Sequence, residues 1–105
     1  MRKVIDGKVY DTETAYAICD IPCRFYKNDF GWHDTVLYRS PRGRYFLVGE
    51  GHAASMWAVH YGNGNGSGPG SGIRVISAED ARAYAEKAEC DEEDMREAGF
   101  AVEEG

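Results

Sequence analysis

The stretch "DTVLYRSPRGRYFLVGEG", residues 34–51, leaves few ways for this chain to fold. Two β-rich runs, 35–39 and 44–48, flank the turn residues Ser40, Pro41, Arg42 and Gly43, a sequence that reverses the chain between two strands. Val36 and Tyr38 alternate with Leu37, while Tyr45 and Leu47 alternate with Phe46 and Val48. Successive strand side chains point to opposite faces, so apolar residues in both phases demand cover on both faces. The hairpin therefore predicts helices on one side and loops or another subunit on the other. A homodimer is thus one expected assembly.

The flanking segments supply candidate partners. "KVIDGKVY" (3–10) reads as a second hairpin, with Asp6-Gly7 giving the two positive-φ positions of a tight primed turn. "DTETAYAICDI" reads as a helix capped by Asp11 or Thr12, buried through Ala15 and Ile18 and ended by Pro22. Residues 23–33 are aromatic but aperiodic and read as a packed loop, and 53–61 as a short helix. "IRVI" (73–76) reads as a further strand. Ser77 and Asp80 form a capping box opening a helix to about Cys90, with Ala78, Ala81, Tyr84, Ala85 and Ala88 on one face. Asp91 caps a last helix that points Met95, Ala98 and Phe100 inward and stops at Gly99. The expected fold is α+β: a small, mostly antiparallel β-sheet of two hairpins plus one further strand, packed with three to four short helices.

"YGNGNGSGPGSG" (61–72) places a glycine at every second position. Phosphate-binding glycine motifs require an offset of five residues, which a set of even positions cannot provide, and no lysine follows. Splitting 105 residues near this run would leave two pieces too small to bury much apolar surface. The chain is therefore read as one domain, 1–105, with a flexible glycine-rich loop at 62–72 and an acidic helical segment at 77–105.

Charge is unevenly placed. Residues 1–76 carry nine Lys and Arg against seven Asp and Glu, whereas 77–105 carry three against eleven. Backbone-driven nucleic-acid binding depends on cations and is disfavoured for such a chain, while complementary charge speeds encounter with a basic surface. No apolar run reaches membrane-spanning length, and the opening "MRKVIDGKVY" lacks an apolar leader core. With three cysteines and no disulfide framework, the expected location is cytoplasmic.

Chemistry is sparse. Cys19 and Cys23 form one short spacing without the second Cys or His pair that structural zinc requires, so no metal is expected. Ser55 is not in a nucleophile elbow, and His33 and Asp34, as strand neighbours, point apart. No catalytic residue and no cofactor is expected. Two surfaces remain. Glu86, Glu89, Asp91, Glu92, Glu93, Asp94 and Glu97 form a carboxylate surface suited to a Lys- and Arg-rich groove. Arg39, Arg42 and Arg44 at the hairpin tip, interleaved with Tyr38, Tyr45 and Phe46, are an alternative anion-binding site, with which the chain would be a small regulatory or nucleic-acid-contacting module.

"VIDGKVYDTETA" (4–15), "DTVLYRSPRGRYFLVGEGHAAS" (34–55) and "VISAEDARAYAEK" (75–87) together resemble a family of small proteins carried by phages, plasmids and conjugative elements of gut and related bacteria. The resemblance covers about half the chain. Some small proteins of such elements are anti-CRISPR inhibitors, so it implies a stoichiometric inhibitor that meets a host protein or nucleoprotein complex, a CRISPR–Cas effector being the suspected target. The acidic segment would then act as a nucleic-acid mimic. The Cys19–Cys23 segment and the length of the glycine run depart from the family pattern, and the resemblance transfers no functional residue.

Overall fold

The structure is a computed structural model that describes residues 1–62 and 66–105. Its centre is the hairpin formed by β4 (His33–Arg39) and β5 (Tyr45–Gly51), paired in continuous register from His33–Gly51 to Arg39–Tyr45. β3 (Tyr16–Asp20) adds antiparallel to β4, and β8 (Gly70–Ile76) adds antiparallel to β5, giving a four-stranded meander of order β3-β4-β5-β8. Two further ladders lie apart from it: β1 (Arg2–Ile5) with β2 (Lys8–Asp11), and β6 (Val59–His60) with β7 (Ser67–Gly68). The helices are α1 (Ala78–Lys87) and α2 (Glu92–Glu97).

Both faces of the central hairpin receive cover within one chain. Leu37, Tyr45 and Leu47 pack with Ala81, Ala85, Met95 and Phe100 of the helical segment. The opposite phase, Phe46 with Ile73, packs against Tyr10 of the β1–β2 hairpin, with Tyr38 stacked on the same ring at 5.4 Å. The N-terminal hairpin thus covers part of the second face: Phe46 and Ile73 are buried, Val36, Tyr38 and Val48 are half-buried, and Val75 stays exposed. It turns through Asp6 and Gly7, both at positive φ, the geometry a primed turn needs.

The C-terminal elements follow their caps. Ser77 Oγ accepts from the Asp80 N–H at 3.1 Å, and Asp91 Oδ1 accepts from the Asp94 N–H at 2.8 Å, each satisfying an orphan donor of a helix start. Gly99, at φ +92°, ends α2 and lets Phe100 turn back to stack on Tyr45 at 5.0 Å.

Three expectations are corrected. Residues 11–20 are not a helix. Asp11 does cap one turn, accepting the Glu13 N–H on its side chain at 2.9 Å and the Ala15 N–H on its carbonyl at 3.1 Å. The chain then enters β3, because a nine-residue helix cannot recover its nucleation cost alone, whereas the edge of β4 offers ladder hydrogen bonds and buries Ile18. Residues 53–61 form successive turns leading into β6 instead of a helix. The helix count among the described residues is therefore two, not three to four.

The third correction concerns the glycines. Positions 63–65 lie outside the described residues, but Ser67–Gly68 and Gly70–Ile76 are strands, not loop. Alternate positions of a strand share one face, so the alternation leaves one face of early β8 without side chains. Gly72 pairs with Gly49, and Gly70 with Gly51. Trp57 is buried over this glycine floor: a Cβ on Gly72 would sit 4.0 Å from the indole, and one on Gly70 would collide with the Trp57 carbonyl. The indole Nε1–H donates to Thr35 Oγ1 at 2.7 Å, and Arg74 lies over the ring at 5.3 Å. Of the glycine run, Gly70 and Gly72 make this floor, whereas Gly68 lies against Tyr61.

Candidate functional site

The acidic residues of the C-terminal segment do not form one uniform surface. Asp91 is spent on its cap, Glu92 pairs with Arg96 at 3.3 Å, Asp94 is half-buried, and Glu97 accepts from the Tyr16 hydroxyl at 3.2 Å. Burial, then the Glu97 carboxylate, raises the Tyr16 pKa above its ordinary value. Among the described residues, Glu86, Glu89 and Glu93 are exposed and have neither an ion pair nor a side-chain hydrogen bond. Glu89 also holds φ +57° at the exit of α1, a conformation that glycine usually supplies.

The three hairpin arginines separate. Arg39 shares the pleat phase of Leu37 and so turns toward the helical layer, where a Cβ on Gly99 would stand 3.3 Å from its Cζ. Its Nε is buried without a hydrogen-bond partner, so Arg39 does not belong to an exposed tip. Arg42 and Arg44 are exposed, and they line a cleft together with Arg2 and Lys8 of the β1–β2 hairpin. Period-two phasing puts Arg39 on the Leu37 face and Arg44 on the Phe46 face; Arg2 and Lys8 carry no such signal, since only packing brings them there.

Residues 23–33 are corrected as well, because the loop is ordered but not packed inward. Asp29 Oδ2 accepts from the Tyr26 N–H at 3.0 Å, and the Asp29 N–H donates to the Tyr26 carbonyl at 2.9 Å. The His52 ring donates from Nε2 to the Lys27 carbonyl at 2.6 Å, and the Ala54 N–H donates to the Phe30 carbonyl at 2.8 Å. Phe25 packs against Gly31, and Trp32 rests on the His52 ring at 5.0 Å. So pinned, the loop leaves Tyr26 81 % and Phe30 77 % exposed. A cleft lined by Arg24 and Phe25 on the loop and by Tyr84 and Lys87 on α1 joins it to the end of the acidic helix.

Reactive side chains are engaged elsewhere. Ser55 Oγ donates to the His52 carbonyl at 2.8 Å, and the His33 ring is hydrogen-bonded to Thr35 at 2.8 Å. Cys23 Sγ accepts from the His33 backbone N–H at 3.4 Å. Burial, followed by the adjacent Cys90 thiol, pushes the Cys19 pKa up to about 12. Native protein treated with an alkylating reagent near pH 8 is therefore expected to leave Cys19 unmodified until denaturant is added. Peptide mass mapping checks this, since the thiolate is the nucleophile; rapid native labelling at Cys19 would contradict the packing of β3 described above.

Among the described residues no cluster of three or more His, Cys, Asp and Glu side chains could hold a metal ion, and no helix is long and apolar enough to cross a membrane. Comparison of the chain with family models, with curated proteins and with solved structures finds no match.

Proposed function

We propose that this chain is a non-catalytic binding protein that docks on a partner macromolecule through the 23–33 loop and the adjoining acidic end of the helical layer. The observation that carries the reading is the hydrogen-bonded loop that holds Tyr26 and Phe30 in water. Ordering a loop costs backbone entropy, and here that order serves no burial of its two most exposed aromatics. Rigid aromatics are the usual anchors of protein interfaces, because they supply contact area with few torsions to freeze. Glu86, Glu89 and Glu93 supply the sign of the partner: a basic surface, met faster and in a fixed orientation. The resemblance to proteins of mobile elements makes a CRISPR–Cas effector the proposed target, its nucleic-acid groove occluded stoichiometrically. The engagement of Ser55, His33 and Cys19 in structural contacts supports a role without turnover.

The test is co-purification with nucleic-acid-binding effectors at low and high salt, using wild type and two variants. Glu93→Lys is expected to weaken capture severalfold at low salt and little at high salt. Glu89→Gly removes a charge while relieving the left-handed backbone, so it should bind more weakly yet melt no lower than wild type. Capture indifferent to both salt and these substitutions would remove the electrostatic mechanism.

A further inference from the structure

On the other face of the sheet, we propose that the cleft between the β1–β2 hairpin and the β4–β5 turn binds a small phosphorylated ligand. This does not rest on the docking reading, since it uses different residues and the opposite charge.

Arg2, Lys8, Arg42 and Arg44 line a space of about 570 Å³, a volume within the range of small-ligand sites. The four cations come from segments more than thirty residues apart and meet because Tyr10 packs on Phe46, ring centroids 5.3 Å apart, and fixes the hairpin on the sheet. One carboxylate lines the cleft, Asp11, and it is already occupied. It pairs with Arg2 at 3.0 Å and accepts the Glu13 N–H at 2.9 Å, so it orients one guanidinium, and the other three cations have no ion pair among the described residues. In a chain of net charge −6 this is a concentrated positive site.

The turn that carries Arg42 and Arg44 is preorganised. The Ser40 N–H donates to the Arg44 carbonyl at 2.7 Å, the Arg44 N–H to Ser40 Oγ at 3.0 Å, and the Gly43 N–H to the Ser40 carbonyl at 2.9 Å. Two guanidinium groups therefore start from fixed backbone positions, and their planar forks match phosphate oxygens. A phosphate carries up to two negative charges in a compact group, which suits a cleft lined by these cations better than a single carboxylate does. The Thr14 hydroxyl on the cleft wall already donates to the Asp11 carbonyl at 3.4 Å, so the donors left for a ligand are the cations.

The experiment titrates the full chain at low ionic strength with inorganic phosphate, pyrophosphate, a nucleoside monophosphate and a short single-stranded oligonucleotide. Calorimetry is used with backbone amide shift mapping. The expected result is saturable one-to-one binding of at least one small phosphate, with shifts confined to Arg2 and to residues 8–14 and 40–44. Arg42→Gln and Arg44→Gln should each weaken it about tenfold, as loss of a charge-assisted hydrogen bond does, while Lys87→Gln on α1 leaves it unchanged. Both arginines are exposed, and a thermal melt equal to wild type shows that the variants fold. No saturable binding, binding indifferent to the two arginine variants, or binding of the oligonucleotide alone overturns the proposal. Glu89→Gly separates the two readings: it should retain phosphate binding while capturing the partner more weakly.

Discussion

Trp57→Ala is expected to destabilise the protein by about 3–5 kcal/mol, the usual cost of deleting a buried aromatic. For a domain of this size that is a fall in Tm of more than about 12 °C. The ring fills the space above Gly49 and Gly72 and donates to Thr35 through its Nε1–H at 2.7 Å, so deletion leaves a void and removes one of the two ring nitrogens bonded to the Thr35 hydroxyl, the His33 ring remaining. The reciprocal substitution, Gly49→Ala, approaches the same floor from below. Its Cβ would stand 2.5 Å from Trp57 Nε1 and 2.8 Å from Thr35 Oγ1, and would collide with the Asp34 carbonyl. Backbone cannot yield as a flexible side chain does, so a cost of about 1–3 kcal/mol is expected from one methyl group. Gly62→Ala is the control: none of the described residues lies within 4 Å of its Cβ position, and its stability should stay within about 0.5 kcal/mol of wild type. Chemical denaturation of the three variants checks the ordering. Equal effects at Gly49 and Gly62 would show that the glycine floor is not a packing constraint.

The second large effect is expected in binding. Replacing Tyr26 and Phe30 with Ala should each weaken capture of the partner by roughly 30-fold, the scale of an interface anchor of about 2 kcal/mol. Neither side chain is buried in the free chain, so thermal stability should change by no more than about 0.5 kcal/mol. That combination separates an anchor from a structural aromatic, and affinity and melting measured on the same preparations decide it. Loss of both together would place these rings in the fold; loss of neither would send the docking surface elsewhere. Asp29→Ala adds a distinct expectation, because it removes the carboxylate that accepts from the Tyr26 N–H at 3.0 Å. Affinity should fall through loop disorder although no contact group is touched.

Much of this architecture was readable where local physics is strong. The β4–β5 hairpin, the Asp6-Gly7 turn and the caps at Ser77 and Asp91 depend on neighbours in sequence, so residue type and spacing located them. The reading failed where a segment is short and its partner distant. Residues 11–20 carry a capping residue and an amphipathic pattern that fit a helix, yet the edge of β4 captured them. The glycine alternation is itself the period of a strand, so that signal was present, but what the bare face accommodates cannot be seen without Trp57 above it.

The candidate sites divide along the same line. Acidity of the C-terminal third is a property of the sequence; the consumption of Asp91, Glu92 and Glu97 by a cap, an ion pair and a tyrosine hydroxyl is a property of the fold. Pleat phase puts Arg39 on the Leu37 face, and the fold makes that face the one under the helical layer. The gathering of Arg2 and Lys8 beside Arg42 and Arg44, and the outward presentation of Tyr26 and Phe30, required the folded chain. Hydrogen bonds between close neighbours fix turns and caps at short range, but which side chains share a surface depends on long-range packing, and the order of residues does not encode it in any local pattern.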